Sequence, residues 1–291
     1  MEIRVPASSV SRSLRYKLRQ RVVVPVRKAT SALRATPDLV IAGVQKGGTT
    51  PFFRFLGAHP QVMPGLVKEA HYFDRHYARG SAWYHAHFPL QAARWVRGLR
   101  AGAPVRVMDA TPGYLFHPHA PARIGRDLPD ARFVILLRNP VDRAYSHYQM
   151  MRARDYETLS FADAVEAESE RLAGEWEKVK VDPHYLSHPI RLFAYLARGQ
   201  YADQLERWFR HVPRDQTLVL RSEDARENPA TAYRALTDFL GIEAFEPPSF
   251  APPNARRYEP LDPDVRAQVS ARFADSNRRL AALLGRDFGW D

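Results

Sequence analysis

Four short, largely apolar runs divide a chain whose other apolar residues recur mostly at helical spacing. Residues 39–44, 105–108, 133–137 and 217–220 read as buried strands. Between them, apolar positions repeating every three to four residues predict helices over 50–58, 121–127, 141–154, 161–179, 190–209, 230–240 and 264–284. Strands that alternate with helices imply a mostly parallel central sheet flanked by helices on both faces. Ligands of such sheets lie beyond the C-terminal ends of the strands. Residues 83–88 and 183–189, rich in His, Tyr and Pro, read as loops near an acceptor cleft, and residues 245–254, with four prolines, as another loop. There is no internal repeat, and 291 residues fit one α/β domain with a sizeable core.

The first apolar run leads into Gly43-Val44-Gln45-Lys46-Gly47-Gly48-Thr49-Thr50. Glycines at 43, 47 and 48 allow a tight turn whose N–H groups converge on an anion, and a helix opening at Thr49 and Thr50 points its positive end the same way. The domain is thus expected to be P-loop-like. The loop differs from that of nucleotide triphosphatases, because Thr49 stands at the lysine position of that pattern and the lysine is three residues earlier, at Lys46. ATP becomes the less favoured ligand. The run at 133–137 is followed by Arg138-Asn139-Pro140, with Pro140 suited to a first helical turn and Ser146 about two turns further on. A magnesium-dependent phosphoryl-transfer site would carry an aspartate at the end of such a strand. Arg138 instead suggests anion binding without a metal, shared with the Ser146 hydroxyl. Two phosphate sites on one sheet suit a nucleotide phosphorylated at two places.

Together these residues resemble the sulfotransferase family that uses 3′-phosphoadenosine-5′-phosphosulfate (PAPS). Lys46-Gly47-Gly48-Thr49-Thr50 is similar to its loop for the 5′ phosphosulfate, and Arg138 to Ser146 to its 3′-phosphate segment. Lys68-Glu69-Ala70-His71-Tyr72-Phe73-Asp74 resembles a segment of the heparan sulfate branch, as does Leu284-Gly285-Arg286-Asp287-Phe288-Gly289-Trp290 at the end. The matches run in order from about residue 38 to the C-terminus, and the Ala- and Arg-rich composition fits a bacterial member. The resemblance implies a PAPS-dependent sulfotransferase that acts on a carbohydrate-like hydroxyl or amine and yields 3′-phosphoadenosine-5′-phosphate (PAP), with no metal. It implies Glu69 as general base, His71 and Asp74 as its supports, Lys46 and the loop N–H groups at the leaving oxygen, and Arg257 in a segment closing over the donor. Ala110 stands where animal members carry an active-site lysine.

Each residue also has a plainer reading: Arg138 as a surface arginine near a helix start, Glu69 as a solvated partner of Lys68, His71 as structural. Their joint order favours function. Charge adds one feature. The formal balance is +11, but residues 1–37 hold nine Lys or Arg and one acid, a net of +8, leaving +3 for the rest. A basic arm (1–37) ahead of a sulfotransferase domain (38–291) is expected, either a solvated segment or one touching an anionic membrane surface. No nucleic-acid motif accompanies it. No apolar run approaches the ~20 residues of a transmembrane helix and no secretory leader is visible, and the absence of cysteine fits a reducing compartment. A cytoplasmic protein, with peripheral contact at the inner membrane face, is the expectation. An ATP-dependent small-molecule kinase and a non-enzymatic polyanion- or membrane-binding protein remain the alternatives.

Overall fold

A computed structural model of the protein describes residues 19–246 and 259–290. Five parallel strands form one sheet: β1 (Leu39–Gly43), β2 (Val62–Pro64), β3 (Arg106–Ala110), β4 (Arg132–Leu137) and β5 (Thr217–Arg221), in the order β2-β3-β1-β4-β5. All five residues of β1 are buried. Successive side chains of a strand point to opposite faces, and each face has its own core. Val40, Ala42, Phe133 and Ile135 pack with Leu205, Trp208 and Leu280 on one side. Leu39, Ile41, Val134 and Leu136 pack with Phe52, Leu56 and Leu236 on the other. The expected α/β fold, a P-loop-like sheet between helical layers, is the observed one.

Element boundaries follow local chemistry. Asn139 caps helix Pro140–Arg152 by accepting from the Val141 and Asp142 N–H groups, with Pro140 in its first turn. Ser160 accepts from Asp163 N–H at the start of helix Phe161–Glu166, and Asn228 and Asp262 cap helices Pro229–Leu240 and Pro263–Ala271.

Three long helices expected from periodicity are broken, the stretch 264–284 into Pro263–Ala271 and Ala274–Leu284. The stretch 161–179 divides into Phe161–Glu166, Glu168–Arg171 and Glu175–Val181, the last starting after Gly174 at φ 72°. The stretch 190–209 becomes His188–Phe193 and Tyr201–Phe209, joined by a short turn at Ala197–Gly199. Here the Glu168 carboxylate accepts from the N–H groups of Leu196 and Ala197, and the Arg143 guanidinium donates to the Tyr195 carbonyl. Tertiary partners thus replace the helical ladder. Strand β2 and helices Gln91–Ala101 and Ser222–Glu227 have no counterpart among the expected elements. β2 has only three residues, and helix Ser222–Glu227 is mostly polar.

Residues 83–88 are not a cleft loop. Ser81–His85 is helical, and Trp83, Tyr84, His87 and Phe88 are buried. Tyr84 stacks on Tyr72 at 4.4 Å, and its hydroxyl donates to buried Asp109 at 2.9 Å. This block supports the 68–74 segment from beneath. Part of the basic N-terminal stretch also packs here: Val24 is buried, Arg27 Nε donates to the Ala86 carbonyl at 2.7 Å, and Arg34 Nη1 donates to that of Phe88 at 2.9 Å.

Candidate active site

A cavity of about 1020 Å³ lies at the C-terminal ends of the strands, where β1 has β3 on one side and β4 on the other. Among the described residues, eight of its lining side chains are Lys or Arg and two are carboxylates, Glu69 and Asp74. Such a balance in a concave, partly desolvated site concentrates anions.

The loop after β1 forms one wall. Lys46 has a positive φ of 71°, and Gly48, at φ 87°, is the N-cap of helix Thr49–Ala58. Gly47 does not line the cavity; it underlies the turn. Its N–H donates to the Val44 carbonyl at 2.9 Å, and a Cβ on it would stand 2.5 Å from the Leu136 carbonyl oxygen. The backbone of this loop therefore lies directly on the end of β4.

Because β1 and β4 are hydrogen-bonded neighbours, the second loop meets the first. Arg138 Nη1 donates to the Lys46 carbonyl at 3.2 Å, while its buried Nε has no partner. Ser146, buried on helix Pro140–Arg152, lines the same cavity. Behind them, outside the cavity lining, Arg143 has unpartnered Nε and Nη1 atoms. Burial lowers the pKa of Arg138 and Arg143, and depresses His147 well below the ordinary imidazole value, helped by Arg143 and Arg198. Buried cationic donors without anions are costly. A phosphate bound in the cavity would supply acceptors and opposite charge to Arg138 beside the Lys46 loop, so the lining residues fit a nucleotide bisphosphate.

The 68–74 segment forms the opposite wall as a chain of charges. Lys68 Nζ donates to Glu69 Oε1 at 2.8 Å, His71 Nε2 is 3.3 Å from Glu69 Oε2, and His71 Nδ1 is 2.9 Å from Asp74 Oδ2. Burial alone would push His71 down, but the charge and hydrogen bond of Asp74, with that of Glu69, hold it at about 9. Near neutral pH it is an imidazolium donating from both nitrogens. Burial would raise Glu69, yet the hydrogen bond from His71 and the charge of Lys68 outweigh it and bring Glu69 to about 2. Asp74, likewise raised by burial, is brought to about 2 chiefly by His71. Glu69 keeps 43 % of its side chain exposed, toward the cavity.

The sign of the pH dependence follows. The His71 contribution to stability is complete below the ordinary value of 6.5 and is lost as pH rises through about 9. The carboxylate contributions are complete above 4.5 and are lost as pH falls through about 2. The cluster therefore stabilises most between pH 4.5 and 6.5. His71→Asn is expected to flatten the fall in Tm between pH 6.5 and 9, a contribution of order 1–3 kcal/mol. Parallel Tm profiles for wild type and variant would contradict the raised value.

Lys46, Gly48, Thr49, Thr50, Glu69, His71, Asp74, Arg138 and Ser146 thus surround one cavity. Arg257 and most of loop 245–254 lie outside the described residues. Ala110 is fully buried and does not line the cavity. Residues 185–187 border it, together with helix His188–Phe193, which extends through the end of the expected 183–189 loop. Sequence reasoning missed Gln45, whose Oε1 is buried without a partner, and Arg198, Ser222 and Arg226. Arg198 lies over Phe116 at 4.1 Å, burial lowers its pKa to about 9, and its Nε is unpartnered. It sits in the break of the expected 190–209 helix, so periodicity gave no signal for it. The polar run Ser222-Glu223-Asp224-Ala225 after β5 was the available clue to the element carrying Ser222 and Arg226.

The family described as “Sulfotransferase domain” matches residues 36–249, and the chain belongs to it. It falls in the heparan sulfate-like branch and is a PAPS-dependent sulfotransferase. The membrane-associated sulfotransferase kil1 of Dictyostelium discoideum is 26 % identical over 89 % of this chain and 67 % of its own length. Heparan sulfate glucosamine 3-O-sulfotransferase 3B1 of Mus musculus is 28 % identical over 88 % of this chain and 65 % of its own. The chain thus spans about two thirds of the length of these relatives. The crystal structure of a sulfotransferase from Alicyclobacillus acidocaldarius shares 31 % identity and a TM-score of 0.66, covering 88 % of this chain and 99 % of that one.

Proposed function

We propose that this protein moves the sulfuryl group of PAPS to a hydroxyl or amine of a carbohydrate-like acceptor, with Glu69 as general base. One observation carries the reading: two anion-binding loops, touching through Arg138 and the Lys46 carbonyl, share a cavity with the Glu69–His71–Asp74 chain. PAPS, when bound, supplies the sulfuryl group and a phosphate leaving group. The protein's residues do the rest. The loop N–H groups and Lys46 bind and neutralise the 5′ end, where negative charge grows. Arg138 and Ser146 hold the 3′-phosphate.

Glu69 Oε1 accepts the acceptor proton once the acceptor takes the place of the Lys68 ammonium. Losing that cation raises the carboxylate from its resting value and strengthens it as a base. His71, locked by Asp74, keeps Oε2 oriented. Trp176 and Tyr185 offer apolar faces to a sugar ring on the acceptor side. The 3-O-sulfotransferase relatives, named for a heparan sulfate glucosamine, support a glycan acceptor. Arg257 is assigned to donor closure with this reading. The cysteine-free chain suits a reducing compartment, and the cytoplasm is the location that goes with it.

The test is ligand-linked stability. PAP is expected to raise Tm, whereas ATP with Mg²⁺ leaves it unchanged. The reverse result would favour a kinase. Arg138→Ala is expected to weaken PAP binding about 10–10²-fold, as for loss of a charge-assisted hydrogen bond, with turnover at saturating donor little changed. An effect on acceptor KM alone would put the nucleotide elsewhere.

A further inference from the structure

Helix Gln91–Ala101 is mounted with its apolar side outward. Arginines hold its inner side: Arg94 Nε donates to the Val105 carbonyl at 2.7 Å and Nη2 pairs with Asp38 at 2.6 Å, while Arg97 donates to the carbonyls of Pro60 at 2.7 Å and His59 at 3.0 Å. No residue of the helix is buried, yet Trp95 is 65 % and Leu99 63 % exposed, with Val96 also exposed. Trp95 and Leu99 are one turn apart and side by side. A surface helix of a globular domain ordinarily shows the opposite arrangement.

The N-terminal stretch extends this surface. Arg34 forms an antiparallel bridge with Leu90 just before the helix, and Leu33, next to Arg34 in the chain, and Leu90 are both exposed. Val22 and Val26 are exposed on the preceding turns. Charge distinguishes this face from an ordinary apolar patch: residues 21–34 and 91–101 hold seven Arg or Lys and no acid, and while Arg27, Arg34, Arg94 and Arg97 bond inward, Arg21, Lys28 and Arg100 are exposed.

We propose that this face is a peripheral docking surface for an anionic phospholipid bilayer. Trp95, Leu99, Val96, Leu33 and Leu90 enter the headgroup region, and exposed Arg21, Lys28 and Arg100 meet the lipid phosphates. Exposed basic side chains around aliphatic and Trp side chains, with the nearby Asp38 already paired to Arg94, complement an extended anionic plane. The orientation follows from the fold. The helix is tied to Asp38, Pro60 and Val105, which precede β1, β2 and β3, so it lies at the N-terminal ends of the strands. The cavity opens at their C-terminal ends and faces away from the bilayer. Docking and donor binding are therefore separable, and this inference does not rest on the sulfuryl-transfer reading.

The test uses the full chain and vesicles of phosphatidylcholine with about one third phosphatidylglycerol. Wild type is expected to cosediment with them, to weaken with added salt, and to show Trp fluorescence quenched by brominated lipid. Trp95→Glu with Leu99→Glu is expected to lower partitioning at least about tenfold while the PAP-induced Tm shift, which also reports folding, is unchanged. Trp95→Phe should keep binding but lose most of the quenching, since Trp83, Trp208 and Trp290 are buried and Trp176 lines the cavity at the other end of the strands. Binding that is absent, equal on pure phosphatidylcholine, or undiminished in the double variant would overturn the proposal. So would a wild-type dimer that the double variant converts to monomer, which would make the face a contact between copies of the chain.

Discussion

Replacing Glu69 by Gln is expected to lower turnover about 10²–10⁴-fold while leaving PAP affinity within about twofold. The amide keeps the shape of the carboxylate and its one oxygen can still accept from either Lys68 or His71, which hold the two carboxylate oxygens in the wild type, so most of the cavity wall persists. It cannot take a proton. The wild-type pH profile carries a second signature. Glu69 is held at about 2, so kcat/KM should show no acidic limb near its ordinary value of 4.5. The rate should fall on the alkaline side as His71 loses its proton near 9 and Glu69 loses a donor. Near-normal turnover in the variant, or an acidic limb near 4.5 that the variant removes, would contradict this account of the base.

Gly47→Ala is expected to cost at least about 10²-fold in PAP affinity, with stability reduced by about 1–3 kcal/mol. The added Cβ would meet the Leu136 carbonyl oxygen at 2.5 Å and Val44 Cγ2 at 2.8 Å, and neither atom is the free end of a flexible side chain. Either the loop lifts away from β4 or the strand end moves. Both misplace the N–H groups, and both separate the Lys46 carbonyl from Arg138, since that contact depends on the loop lying flat on the strand. Gly57→Ala is the control. It lies inside helix Thr49–Ala58, and its nearest neighbour, Pro64 Cγ, is 3.9 Å away, so the change should be neutral or stabilising by up to about 1 kcal/mol. Unaltered PAP binding by Gly47→Ala, measured by calorimetry, would mean that the loop does not hold the donor.

The two variants probe opposite walls of one cavity. Glu69 should act on turnover and Gly47 on donor affinity. Arg138→Ala belongs with Gly47 because both perturb the same junction between β1 and β4. If all three lowered PAP affinity equally, Glu69 would be a donor-binding residue and the acceptor would have to approach from another side.

Much of this was legible along the chain because it rests on local rules. Glycines at 47 and 48 before a helix start, a strand ending in Arg138, and Asn139-Pro140 as a helix opening are short-range signals whose physics lies within a few residues. Four of the five strands could be read for the same reason: β1, β3, β4 and β5 are largely apolar runs between turn signals. What could not be read depends on distant partners. Helix 190–209 has the right periodicity throughout, but Glu168 and Arg143 capture its backbone groups near residue 195, and Arg198 is swung toward the cavity. Residues 83–88 have loop-like composition but are buried, because Tyr84 finds Asp109 and Tyr72.

By itself the sequence determined the kind of site: a phosphate-cradling loop, a second cationic loop and a Lys-Glu-x-His segment, because backbone freedom, capping and charge are properties of neighbouring residues. Only the tertiary structure decided that the two loops touch, that Lys68, Glu69, His71 and Asp74 form one hydrogen-bonded chain, and that the apolar side of helix Gln91–Ala101 faces outward. The reason is the pairing of β1 with β4 and the burial around them. Strand order and desolvation are set by contacts between residues far apart in the chain, and no local pattern encodes them.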